Sequence, residues 1–360
     1  MRLIRVCSLL LLASASVQAQ QVRNVVVVMT DGMRWQEMFR GADTALLTPD
    51  RYYDKRDVSA LQSRFLAAKP EERRMKLMPF FWEQFEKHGV IFGDVDAGGS
   101  AVVTNGLQFS YPGYSETLTG HPDARIHSND DVPNPNTTVL AWLSHRPAFQ
   151  GKVAAFGAWH VIANVVNGDK CQCVDNAGYD PLQLLPSSPA IELLNTLKRD
   201  SPRIWDDEVF DAPTAYTALE YVKLKKPRVL FLSLGETDDW AHGNNYGEYL
   251  LSAHRADEYM RQLWTMMQSM PEYKDSTALI FLTDHGRGSS GEKGDHSWTT
   301  HGEKTPEAKN IFIAVSAPGV KGGLRTDAVT QSQVAATLAR LLGEDWNAAE
   351  PLAGKPLPLK

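Results

Sequence analysis

The chain has 360 residues, 43% hydrophobic and 22% charged, which is ample for one large core and too ordinary for disorder, collagen or coiled coil. With 37 Lys and Arg against 43 Asp and Glu the formal charge is -6, and no basic run stands out, which argues against a protein that coats nucleic acid. Small anionic substrates stay open, because a metal site supplies locally the positive charge that the surface lacks.

Residues 1–19 read as a secretory signal, with Arg2 and Arg5 as the charged start, an apolar run from Leu9 to Ala13, and small residues around Val17-Gln18-Ala19 for cleavage. That run is far shorter than the roughly 20 residues of a bilayer span, and no later segment is long enough. The expectation is a periplasmic or secreted chain from residue 20 onward, with no membrane span. Cys7 leaves with the leader. Cys171 and Cys173 remain, and their spacing leaves open a disulfide, a metal site or two free thiols.

The first strand is expected at 24–30, where NVVVVMT is a short apolar run ending in a polar residue. Pro79 opens and Gly89 closes a helix over 80–88. Further strands are expected at 152–157, 228–234, 278–283 and 311–316. Between two of them, Tyr246, Leu250, Ala253, Ala256, Met260, Leu263 and Met267 recur at spacings of three and four, the stripe of one long amphipathic helix. A last helix spans 330–342 before Gly343. Alternating strands and helices predict an α/β fold, a mainly parallel central sheet with helices on both faces. The stretch from about 120 to 226, rich in Pro, Asn and Asp, reads as loops and a cap over the carboxyl edge, within one domain covering 20–360.

Ligands of open α/β sheets bind beyond the carboxyl ends of strands, so the residues just past each strand carry the most information about chemistry. Thr30 leads to Asp31, Leu234 to Asp238, and Thr283 to Asp284-His285. Asp238 and His242 are four residues apart and share a face of a helical turn. Oxygen and imidazole donors together suit zinc or a similar divalent ion. Downstream, Asp295-His296 and His301-Gly302 sit in a glycine-rich loop from which either histidine can reach the site. Two close divalent ions clamp a phosphoryl group, which asks for a nucleophile. Ser110 of Phe-Ser-Tyr-Pro-Gly-Tyr stands near a helix start, where it is either that nucleophile or an ordinary N-cap.

The set resembles the alkaline phosphatase superfamily, specifically its phosphodiesterase and nucleotide pyrophosphatase-like branch. Val-Val-Val-Met-Thr-Asp31-Gly-Met is similar to the first strand and its metal ligand. Ser110-Tyr-Pro-Gly-Tyr-Ser-Glu-Thr-Leu-Thr-Gly120 is similar to the nucleophile segment, Asp238-Asp-Trp-Ala-His242 to the Asp-x-x-x-His motif, Asp284-His285-Gly to the strand-end pair, and His301-Gly to the last histidine. The resemblance implies that Asp238, His242 and His301 hold one ion, and that Asp31, Asp284, His285 and the Ser110 oxygen hold the other. Zinc is the expected metal and manganese the alternative. Asn129 matches the family's phosphoryl-binding Asn.

Tyr114 stands where a sulfatase carries Arg, and the phosphate-gripping Arg of conventional alkaline phosphatases is missing beside Ser110. The resemblance thus implies a two-metal hydrolase of a small phosphorylated substrate, a diester or nucleotide pyrophosphate, acting through a phosphoseryl intermediate. Tyr111 and Tyr114 are expected to flank an open surface where a base or aryl group stacks, and His160 to line the pocket. Arg125 is close enough in sequence to act as an added cation. A phosphomonoesterase, a phosphotransferase, a sulfatase and a non-catalytic phospho-ligand binder are the rivals.

Overall fold

The computed structural model describes residues 21–48, 58–289 and 297–360. The leader at 1–19 and the Asp295-His296 pair lie outside the described residues. The strands are β1 (Asn24–Thr30), β2 (Gly89–Phe92), β3 (Ser100–Val102), β4 (Val153–Gly157), β5 (Val174–Ala177), β6 (Val229–Leu234), β7 (Thr277–Thr283), β8 (Ile313–Ser316), β9 (Gly323–Leu324) and β10 (Ala328–Thr330). Eight form one sheet in the order β5-β4-β6-β1-β7-β8-β2-β9, and β3 pairs with β10 separately.

All pairs in the main sheet are parallel except those of β8, which runs antiparallel to β7 and β2. The chain between β7 and β8 has no crossover helix to carry it back across the sheet among its described residues, so it re-enters from the edge at which it left. β1 lies between β6 and β7, in register from Val25 opposite Val229 and Ala278, and all seven of its residues are buried. Alternation splits that run between two apolar layers. Val26 and Val28 pack with Leu230, Leu232 and Phe281 on one face, whereas Val25, Val27 and Met29 pack with Phe231, Ile280 and Leu282 on the other.

Helices cover both faces. On the first lie Pro79–His88, Asp211–Lys225 and Tyr246–Ser269, the last presenting Leu250, Ala253, Ala256, Met260, Leu263 and Met267 as its buried stripe. On the second lie Ser110–Thr119, Val139–Ser144 and Val334–Leu341. The stretch 120–226 supplies the expected strand β4 and departs from a loop-rich cap in adding β5 to the sheet, along with four helices. Its loops at 120–138 and 201–210 are the parts that reach the carboxyl edge. Cys171 and Cys173 are joined as a disulfide. Among the described residues no helix is long and apolar enough to cross a membrane.

Candidate active site

Adjacent strands β4, β6, β1 and β7 end side by side, and their parallel direction sends Asp31, Asp238 and Asp284-His285 to one edge. After β6 a single Gly235 separates Leu234 from the helix Glu236–His242, so Asp238 lies in the first turn and His242 in the last, on the same face. Asp238 Oδ2 is 3.0 Å from His242 Nε2, and that nitrogen is 3.0 Å from His301 Nε2. Asp31 Oδ1, Asp284 Oδ2 and Asp238 Oδ1 surround His285 Nε2 at 3.3, 3.4 and 3.8 Å.

Donor atoms thus gather in two overlapping groups, Asp238 with His242 and His301, and Asp31 with Asp238 and His285, with Asp238 common to both. The orienting bonds suit cation binding. The His285 Nδ1 lies 2.9 Å from Gly286 O and the His301 Nδ1 3.2 Å from Gln108 O, which turns each Nε2 lone pair inward. Gly32 N donates to Asp284 Oδ1 at 2.9 Å, leaving Asp284 Oδ2 buried without a hydrogen-bond partner, as is His285 Nε2. Two orphaned buried donors facing each other among carboxylates are what a bound cation would satisfy. The oxygen and imidazole set fits a divalent metal such as zinc.

Charge points the same way. Burial, with Asp31 alongside, pushes the Asp284 carboxyl well above the usual carboxylate range. His285 is raised as well: burial alone would lower it, but Asp284 and Asp31 outweigh burial and raise it to about 9. Burial and His285 lower His301 to about 2. The two histidines shift in opposite directions because carboxylates prevail around His285, whereas burial and the neighbouring cationic groups prevail around His301.

Ser110 is not the N-cap of its helix. The N-cap of the helix Ser110–Thr119 is Phe109, with no side-chain cap, and Ser110 is the first helical residue. Its Oγ donates instead to Asp31 Oδ1 at 3.4 Å. The preceding loop is held from two sides. Buried Glu116 accepts from the backbone and side chains of Thr104 and Asn105, and Gln108 O accepts from His301 Nδ1 and Gly302 N. Gly113 allows this helix to meet the end of β7, since a Cβ there would stand 2.6 Å from Asp284 O.

The other expected residues divide. Asn129 comes beside Ser110, its Oδ1 accepting from Tyr111 N at 2.9 Å. Tyr111 and Tyr114 do not flank an open surface: both rings are buried in the second apolar layer with Leu118, where 111, 114 and 118 form a helical stripe. The Tyr111 hydroxyl donates to Val132 O at 2.5 Å, and the Tyr114 hydroxyl accepts from Ser233 Oγ at 2.8 Å. His160 stands past the end of β4 but is engaged by Asp131 Oδ2 and Asp207 O, both at 3.1 Å. Arg125 forks onto Asp123 and also donates to Asn136, so it is not turned on the serine.

Three residues were not foreseen. Arg287, fully buried, donates to Asp238 Oδ1 and Asp238 O; its one signal was a cation three places after Asp284. Glu208 and Asp239 lie behind the site. Burial and Asp238 push Asp239 up to about 8, and burial with Asp239 pushes Glu208 well above the carboxylate range. Nothing in the sequence distinguished Glu208 from other acids in a loop. A cavity of about 460 Å³ lined by Trp240, Phe210, Tyr259 and Arg255 lies on the opposite side of the helix Glu236–His242, since Glu236 and Trp240 are two positions out of phase with Asp238 and His242.

No family model and no curated protein matches the sequence. Solved structures do. The alkaline phosphatase PafA aligns with a TM-score of 0.62 at 11% identity over 94% of this chain and 98% of its own. A protein in the alkaline phosphatase superfamily from Vibrio parahaemolyticus aligns at 0.54 and 13% identity, over 94% and 71%. This chain has the alkaline phosphatase superfamily fold. Lipoteichoic acid synthase LtaP from Listeria monocytogenes matches at 0.51 and 12%, over 91% and 73%, and sulfatases match as well. Superfamily likeness at these identities is one of fold, so the chemistry is argued from this chain's own side chains.

Proposed function

We propose that this protein is a metal-dependent hydrolase of phosphate diesters in which Ser110 is the nucleophile. The observation that carries the reading is the Ser110 hydroxyl on Asp31 Oδ1, at the seam of two donor groups that share Asp238. Asp31, Asp284, His285 and the Ser110 oxygen would hold one divalent ion, and Asp238, His242 and His301 the other, with zinc the expected metal. When bound, the ions supply positive charge to the phosphoryl oxygens and to the departing oxygen.

Ser110 Oγ gives up its proton to solvent as it attacks phosphorus. The bond from Oγ to phosphorus forms while the bond to the leaving oxygen breaks in line with it, and that oxygen takes a proton from solvent. Water then attacks the phosphoseryl ester: its oxygen bonds to phosphorus as it loses a proton to solvent, the bond from phosphorus to Oγ breaks, and Oγ regains a proton from solvent. Asn129, held through Oδ1 by Tyr111 N, offers Nδ2 to a phosphoryl oxygen. The amides at the start of the helix Ser110–Thr119 face the same negative charge.

Diester preference rests on charge rather than on aromatic stacking, since both tyrosines are buried. A monoester dianion gains from an extra cation, yet Arg125 is taken up by Asp123. His160 is flanked by Asp131 and Asp207, which disfavours a second negative charge at that side of the site. The test is a panel of matched aryl diester, monoester and sulfate on zinc-loaded protein. The diester should exceed the monoester in kcat/KM by at least about tenfold, roughly 1.4 kcal/mol of barrier. A strong chelator should abolish that activity. Reversed preference on the same batch makes the enzyme a monoesterase.

Export belongs to the proposal on the strength of the leader at 1–19, and a disulfide between Cys171 and Cys173 suits an oxidising compartment. A mature amino terminus at Gln20 in the secreted or periplasmic fraction is the expected finding.

A further inference from the structure

Arg287 is an unusual neighbour for a cation site. Its side chain is fully buried, and it crosses from the loop after β7 to the other strand-end segments: Nε donates to Gly32 O at 3.1 Å, Nη1 to Thr299 O at 2.6 Å, and Nη2 to Asp238 O at 3.1 Å and to Asp238 Oδ1. Gly32, at φ 57°, is where the end of β1 makes room, because a Cβ there would overlap Asp238 Oδ1 and sit 3.0 Å from Arg287 Nε. Bonds to three carbonyls would be enough for a structural tie. The fourth bond takes an oxygen of a metal-ligating carboxylate.

That oxygen is the one atom of Asp238 that stands between the two donor groups. Asp238 Oδ1 is 3.8 Å from His285 Nε2 and 3.9 Å from His301 Nε2, whereas Oδ2 is 3.0 Å from His242 Nε2. With Oδ1 engaged by the guanidinium, Asp238 has Oδ2 left, on the His242 side. The group around His285 keeps two further carboxylates, Asp31 and Asp284, and the group around His242 and His301 has a single carboxylate whose charge Arg287 already offsets.

We propose that Arg287 is a positioning residue that makes the two ion positions unequal: it confines Asp238 to the His242 and His301 group, and the ion there is the weaker and exchangeable one. This rests on the two-ion reading above. Its consequence is that the enzyme loads in two steps, and free metal concentration sets the fraction in which the second position is filled. A guanidinium held this way also keeps Asp238 in place while that position is exchanging.

The test uses the full mature protein, stripped of metal and titrated with Zn²⁺ against a chromophoric chelator, with circular dichroism to confirm folding. Wild type should bind two equivalents, the first at least about tenfold tighter than the second. Arg287→Gln, which removes the charge and frees Oδ1, should shrink that interval by about tenfold or more, the size expected for loss of a group that bonds to a metal ligand. Arg287→Lys keeps the charge and should keep the interval. An unchanged interval in R287Q, or an equal collapse in R287K, overturns the proposal while leaving the two-ion reading in place. Uptake of less than one equivalent by wild type overturns both. Should R287Q fail to fold, release kinetics carry the same claim: one equivalent leaves wild type faster into excess chelator, and His242→Gln removes that fast equivalent. Loss of the slow equivalent instead overturns the assignment.

Discussion

Gly113→Ala separates what the helix Ser110–Thr119 needs for stability from what it needs for geometry. The new Cβ would lie 2.6 Å from Asp284 O and 3.1 Å from Asp284 C, both backbone atoms at the end of β7. Real Cβ contacts stay beyond 3.0 Å, so helix and strand end must part by at least about 0.4 Å. Overpacking of this kind costs about 1–3 kcal/mol, and Ala in place of Gly inside a helix returns about 1 kcal/mol. The net loss should be about 1 kcal/mol, a fall in Tm of about 1–3 °C for a domain of this size. Activity should suffer more. Ser110 is one turn away, and a shift of this size between it and Asp31, Asp284 and His285 should lower kcat on an aryl phosphodiester by about tenfold, given that a 1 Å misplacement costs about a hundredfold. The control is Gly98→Ala, at φ 81° with open space around it, which should lose about 1 kcal/mol of stability to backbone strain and leave kcat unchanged. If Gly113→Ala keeps kcat within about twofold of wild type, the contact with Asp284 does not set the position of Ser110.

Asp257, in the middle of the helix Tyr246–Ser269, accepts from Phe80 N and Phe81 N and so caps the helix Pro79–His88 from outside. Burial pushes its carboxyl up to about 7, against the lowering effect of those two amides. The folded state therefore binds a proton that the unfolded state has released, so stability should fall as pH rises from about 4 to 7 and level off above. In Asp257→Asn that slope should be shallower by the contribution of one carboxyl in denaturant melts across this range, with Asp239, Glu208 and Asp284 supplying the remainder, and an identical slope in the variant would show that Asp257 contributes nothing to it. Asn129→Ala should lower kcat by about 10²-fold, the usual loss for one donor to a developing oxyanion, with zinc content unchanged. A loss under about threefold would remove Asn129 from the site.

Much of this was legible in the sequence because burial on both faces leaves an unmistakable mark. NVVVVMT can be little else than a central parallel strand, and the stripe from Tyr246 to Met267 predicted the long helix. Strands β2, β3, β5, β9 and β10 were not legible: two to four residues such as VDNA carry no periodicity, and their pairing is decided by tertiary contacts. At the site, Asp31 and Asp284 could be read because each comes directly after a strand, and Asp238 because it stands four residues past one and four before His242. Whether Ser110 is the N-cap could not be fixed locally, since a one-residue difference in where the helix starts decides it. Tyr111 and Tyr114 were misread as surface for want of one step, as their spacing with Leu118 is a core stripe. Arg287 was missed because its partner Asp238 is brought beside it by the sheet rather than by sequence.

The central claim is that Ser110 forms a covalent bond to phosphorus. Zinc-loaded enzyme mixed with an aryl phosphodiester, quenched in acid within one turnover and digested, should yield the peptide containing Ser110 with a phosphoryl ester on that residue, detected by mass spectrometry. Ser110→Ala should show no such adduct and should lose several orders of magnitude in turnover while retaining its metal. Undiminished turnover by Ser110→Ala, with no adduct on wild type, would contradict the account.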